Sequence, residues 1–93
     1  MGESNQGGER RVVVLSRAEC CLCHEAIAAA EEARRVVPFA LEVVDVDGDP
    51  QLRDRYGEEV PVVLVDGRKA FKYRVTSAQL VRRLRRRRWL PAL

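Results

Sequence analysis

Four consecutive apolar residues, Val12-Val13-Val14-Leu15, stand a short loop ahead of Cys20-Cys21-Leu22-Cys23, which holds every cysteine in the chain, and an alanine-rich stretch follows at once. A strand that is apolar at successive positions has to be covered on both faces, which puts it inside a sheet. A helix leaving such a strand crosses back over the sheet, and a strand that then follows it runs parallel to the first. This junction already selects a layered α/β domain.

The rest of the chain reads as a continuation of that pattern. From Cys21 to about Arg35, Leu22, Ala26, Ala29, Ala33 and Val36 recur at helical spacing, and Pro38 ends the helix. Phe39 to Val46 is rich in apolar and β-branched residues, a second strand closed by the turn-forming Asp47-Gly48-Asp49. Asp49-Pro50 has the form of an N-cap followed by proline in a first helical turn, opening a short helix through Tyr56 that Gly57 stops. Val62-Val63-Leu64-Val65 is a third strand, and Asp66-Gly67 turns it into a fourth around Lys69 to Tyr73. Thr76 with Gln79 three residues on makes a capping box, and Leu80, Val81 and Leu84 supply the inner stripe of a last helix. The order β-α-β-α-β-β-α predicts a mixed four-stranded sheet flanked by helices.

Ninety-three residues make one domain. Residues 1–9 are polar and read as a flexible tail, leaving 10–93 as the folded part. No apolar run is long enough to span a bilayer or to form a signal core, so the expectation is a cytoplasmic protein with no membrane partner. Gln6 stands where N-myristoylation wants Ser or Thr, which argues against that modification at Met1-Gly2. The net charge of +3 is unevenly spread: Arg82, Arg83 and Arg85 to Arg88 fall in one seven-residue window. Such a run reads as a solvated helix face or as a docking surface for an acidic partner, and the lack of interleaved aromatics argues against nucleic acid. Asp45-Val46-Asp47-Gly48-Asp49 opens like a calcium loop, but Pro50 takes the place of the required glycine and Tyr56 that of the closing glutamate.

Three cysteines within four positions cannot staple distant parts of a chain, so they form a local site. Cys20 and Cys23 make a C-x-x-C pair at a helix start, where unpaired N–H groups and the positive end of the helix dipole favour an anion. Helix N-termini and C-x-x-C motifs lower cysteine pKa values to roughly 3.5–7.5, which makes the thiolate that attacks disulfides. Cys23, one turn on, is placed to resolve a mixed disulfide formed at Cys20. Arg17 on the preceding loop would favour that thiolate or bind a substrate carboxylate. Cys21 faces elsewhere and reads as a small packed or exposed thiol; His24 reads as a solvent-facing helix residue. A reading from a different class joins Cys20, Cys21, Cys23 and His24 as soft ligands for a metal or an iron-sulfur cluster. Four ligands in five residues is dense for zinc, whose sites draw on two separated segments.

Ser16-Arg17-Ala18-Glu19-Cys20-Cys21-Leu22-Cys23 is similar to the S-K-x-x-C-x-x-C stretch of glutaredoxins, Val60-Pro61 opens the third strand, and Asp66-Gly67 makes the hairpin. With the element order, these residues resemble the glutaredoxin branch of the thioredoxin-like fold, and in particular small glutaredoxin-like proteins with a C-x-L-C site. The resemblance implies a thiol-disulfide oxidoreductase with Cys20 and Cys23 as catalytic pair and no bound cofactor. It also implies a cis-proline at Pro61, whose neighbour Val60 seats a cysteine-containing peptide such as glutathione or a protein disulfide by main-chain hydrogen bonds. Phe71-Lys72-Tyr73-Arg74 replaces the Gly-Gly-x-Asp segment with which glutaredoxins hold the γ-glutamyl end of glutathione.

Overall fold

The computed structural model describes residues 10–86; the tail at 1–9 and Arg87, Arg88 and Trp89 lie outside the described residues. Strand β1 (Arg11–Ser16) leads into helix α1 (Cys21–Arg34), then β2 (Ala40–Asp45), a single 3-10 turn at Val46–Gly48, α2 (Pro50–Tyr56), β3 (Val62–Val65), β4 (Arg68–Lys72) and α3 (Ser77–Arg85). The sheet order is β2-β1-β3-β4. β1 pairs parallel with β2, Arg11 opposite Ala40 through Ser16 opposite Asp45, and antiparallel with β3, Leu15 opposite Val62. The expected α/β architecture with a mixed four-stranded sheet is therefore present.

Alternation along the two central strands sorts the core into two layers. Val12 and Val14 of β1, with Val63 and Val65 of β3, pack against Ala26, Ala30 and Ala33 of α1 and Leu80 and Leu84 of α3. Leu15 and Val62 face the other way, into a smaller cluster with Val46, Leu52 and Tyr56 under α2. Each fully buried Val or Leu contributes on the order of 1.5–3 kcal/mol of transfer free energy, so a domain this small depends on both faces being covered. Among the described residues, no helix is long and apolar enough to cross a membrane.

Local chemistry explains the turns. Asp66 (φ 52°) and Gly67 (φ 86°) both adopt left-handed backbone, as a two-residue hairpin of this type requires. The Asp66 carboxylate accepts from Arg10 Nε at 2.6 Å and from the Arg11 N–H at 3.0 Å, tying the turn to the start of β1. β4 carries a bulge: pairing jumps from Val63–Phe71 to Leu64–Lys69. The capping box of α3 is complete, Gln79 N–H donating to Thr76 Oγ1 at 3.0 Å and Thr76 N–H to Gln79 Oε1 at 2.9 Å.

One expectation needs correction. The buried stripe of α1 is Cys23, Ala26, Ala30 and Ala33, rotated from the Leu22, Ala26, Ala29, Ala33, Val36 series. Leu22 and Ala29 are half-buried and Val36 is 56% exposed. Gly57 ends α2 as expected, and does so in right-handed backbone (φ −56°). Its reason is space: a Cβ there would stand 2.5 Å from the Arg53 carbonyl oxygen. Gly57→Ala is expected to destabilise the domain by roughly 1–3 kcal/mol, lowering Tm by about 4–8 °C per kcal/mol. Gly48→Ala, where a Cβ meets nothing within 4 Å, serves as the neutral control in the same thermal melts.

Candidate active site at the first strand-to-helix junction

β1 delivers the chain to Arg17, and Glu19 (φ 59°) turns it in left-handed backbone so that Cys20 becomes the N-cap of α1. Cys20 sits in extended backbone (φ −116°, ψ 108°), its carbonyl accepting the His24 N–H at 3.1 Å and its sulfur accepting the Cys23 N–H at 3.2 Å. A donor aimed at a sulfur is accepted better by the anion than by the thiol. The three cysteines are free and differ sharply in access: Cys23 is buried, Cys20 half-buried and Cys21 exposed. Burial, then a hydrogen bond toward Cys20, pushes the Cys23 thiol up to about 11, with the Arg17 main-chain N–H and positive charge opposing. The arrangement is a protonated interior thiol beside a half-exposed sulfur at a helix start.

Arg17 lies against this pair, but its guanidinium is spoken for. Nε and Nη2 donate to the two Asp47 carboxylate oxygens at 3.2 and 3.0 Å, and Nη1 donates to the Gly57 carbonyl at 3.1 Å. The hydrogen bonds, and after them the charges, raise the Arg17 pKa, and the same hydrogen bonds lead in lowering that of Asp47. One fork thus joins the loop before Cys20, the turn after β2 and the end of α2. Arg53, Arg55, Gly57, Glu58 and Glu59 line an open polar depression of about 440 Å³ beside it.

The third part of the junction is Val60-Pro61. The Leu15–Val62 register brings this dipeptide level with the exit of β1. The Val60–Pro61 peptide bond is cis, Pro61 is buried and Val60 half-buried. The Pro61 carbonyl accepts the Tyr73 N–H at 2.8 Å. Among the described residues, the Val60 N–H and C=O pair with no other main-chain group. The segment leading into it is fastened by Gly57 to Arg17 and by Glu59 to Lys69, at 2.9 Å.

Of the five residues singled out in the sequence, Arg17, Cys20 and Cys23 lie on the loop after β1 and at the start of α1, and the register places Val60 and Pro61, at the start of β3, level with that end of β1. Asp47 and Gly57, the partners of Arg17, were not among them; they lie 30 and 40 residues along the chain, with no local signal to connect them. Among the described residues, no group of three or more His, Cys, Asp or Glu side chains is placed to hold a metal ion. Cys23 points inward while Cys21 and His24 are exposed, so the proposed ligand set does not converge. The aspartates of the calcium-like stretch are engaged separately: Asp45 caps the 3-10 turn, Asp47 binds Arg17, and Asp49 caps α2.

The family described as Glutaredoxin-like domain (DUF836) matches residues 11–85 of this chain. The chain belongs to that family. This glutaredoxin-like domain is 33% identical over 75 residues to an uncharacterized protein of Mycobacterium tuberculosis strain H37Rv, the match covering 75% of this chain and 77% of the relative. The solution structure of a Nitrosomonas europaea protein superimposes with a TM-score of 0.68 at 31% identity, over 84% of this chain and 94% of that one. Oxidised thioredoxin from Plasmodium falciparum matches with a TM-score of 0.57 at 17% identity, over 82% of this chain and 78% of that one. At that identity the likeness speaks for the thioredoxin-like fold alone.

Proposed function

We propose that this glutaredoxin-like domain is a dithiol-disulfide oxidoreductase, with Cys20 the attacking sulfur and Cys23 the resolving one. The observation that carries the reading is the Cys20 sulfur at the α1 N-cap, receiving the Cys23 N–H at 3.2 Å while Cys23 itself is buried and protonated. The Cys20 thiolate attacks one sulfur of a substrate disulfide, forming a mixed disulfide and expelling the other substrate sulfur as a thiolate, which takes up a proton. Cys23 gives up its proton and attacks Cys20. A Cys20–Cys23 disulfide forms and the second substrate sulfur leaves as a thiol. Two electrons and two protons pass from the dithiol to the substrate.

Val60 is the seat for the substrate main chain in this reading, since its N–H and C=O are not paired to the protein backbone and an extended peptide satisfies both. Arg17 acts through its grip on Asp47 and Gly57, which holds the cysteine loop against the segment that ends in Pro61. A substrate carboxylate would have to compete with Asp47 for the same fork. The substrate is a disulfide of a protein or of glutathione, and no resident cofactor enters the reaction.

The test is a thiol-trapping mass titration across dithiol and glutathione redox buffers. Wild type is expected to pass reversibly to a form lighter by two hydrogens at one potential, and Cys23→Ser to accumulate an adduct on Cys20. Thiols that resist oxidation, or that oxidise irregularly through Cys21, would sink the proposal.

A further inference from the structure

Opposite the cysteines, at the Arg11 end of β1, positive charge collects on a surface that the redox reading does not use. Arg10 Nη1 donates to the Leu84 carbonyl and Arg10 Nε to Asp66, so the end of α3 and the β3–β4 turn meet there. Helix α3 carries Arg82, Arg83 and Arg85, with Arg86 at its C-cap, and has no acidic residue. Burial lowers the pKa of Arg83, and Arg86, Arg10 and Arg68 lower it further against Asp66, so like charges crowd around a half-buried guanidinium. Such crowding is relieved by an anion supplied from outside.

The surface is not uniformly charged. Ala70 and Phe71 of β4 form the floor of an open groove of about 310 Å³, with Gln79, Arg82 and Arg83 of α3 and Arg86 at its C-cap along its rim. Arg82 also borders a second depression, of about 470 Å³, where Val81 lies beside the exposed Val36 and Arg85. Apolar floors under arginine rims fit a chain that alternates carboxylates with aliphatic side chains. Guanidinium forks pair bidentately with carboxylates, and the half-buried ring of Phe71 gives no stacking platform for successive bases.

We infer that the face formed by β4 and α3 docks an acidic, amphipathic segment of a partner protein, its carboxylates on Arg82, Arg83 and Arg86 and its apolar side chains on Ala70 and Phe71. The arginines of this face stand on α3 and at its C-cap, whereas the cysteines stand at the start of α1, so the two surfaces share no residue.

Fluorescence anisotropy of the full chain with a labelled glutamate- and leucine-rich dodecapeptide tests this. Saturable binding is expected that weakens as salt rises from about 50 to 300 mM. Arg82→Glu with Arg86→Glu should lose at least about tenfold in affinity, because attraction becomes repulsion at two exposed positions. Circular dichroism and the thiol-trapping titration of that variant should match wild type, while Cys20→Ser should bind the peptide unchanged. The two readings thus fail separately. The inference is overturned if the peptide does not bind, if charge reversal leaves binding intact, or if a twelve-nucleotide oligothymidylate or phosphatidylglycerol vesicles bind more tightly to the same arginines.

Discussion

Replacing Cys20 with serine is expected to lower the rate of disulfide reduction by about two orders of magnitude or more. Burial, which does not depend on Cys20, still pushes the thiol of Cys23, the sulfur left in the pair, above its ordinary value, so little of it is thiolate at neutral pH. That thiolate would also have to attack from a buried position. Cys21→Ser, removing an exposed thiol, should keep the rate within about twofold of wild type, as for a surface change away from special features. Rates with a small aromatic disulfide, followed by absorbance in the presence of dithiothreitol, distinguish the cases. Equal losses in the two variants would remove the basis for assigning Cys20 and Cys23 as the working pair.

Leu80→Ala should cost about 2–5 kcal/mol, the range for truncating a buried leucine whose surroundings collapse only in part. Leu80 is fully buried and belongs to the larger core cluster with Val12, Val14 and the alanines of α1. Those alanines have no side chain with which to refill the space. Because domains of this size have about 5–15 kcal/mol of stability in all, the variant should melt far below wild type, close to or under physiological temperature. Urea denaturation gives the number directly. Val81→Ala, one residue on and half-buried, is the comparison; a similar loss at both positions would contradict the packing described for α3.

What could be read from sequence was what is written locally. The Asp66-Gly67 turn, the Asp49-Pro50 start of α2 and the Thr76–Gln79 box depend on residues within four positions of one another, and each is present. The β-α-β opening followed from one apolar run and one helix. The facing of α1 was misread because Ala26, Ala28, Ala29, Ala30 and Ala33 offer little contrast between inside and outside, so sequence alone cannot choose a stripe. Contact with β1 and α3 makes the choice, and turns Cys23 inward. The grip of Arg17 on Asp47 and Gly57 had no sequence signature at all, since three loops meet there only after the sheet has formed. In sequence Arg17 reads as favouring the thiolate or a substrate carboxylate, and its fork is turned to Asp47 and the Gly57 carbonyl.

The place of Cys23 on the inner face of α1 links chemistry to folding through a thermodynamic cycle. Under the proposed reaction, its sulfur belongs both to the reacting pair and to the interior face that stabilises the domain. Any change in packing free energy between dithiol and disulfide forms must reappear as a change in reduction potential relative to the unfolded chain, about 30 mV for each 1.4 kcal/mol. Substitutions at Ala26 or Ala30, which line the same stripe and touch no substrate, would then adjust oxidising strength from inside the protein. Comparing the melting temperatures of the two redox forms would measure that coupling as a difference in heat resistance.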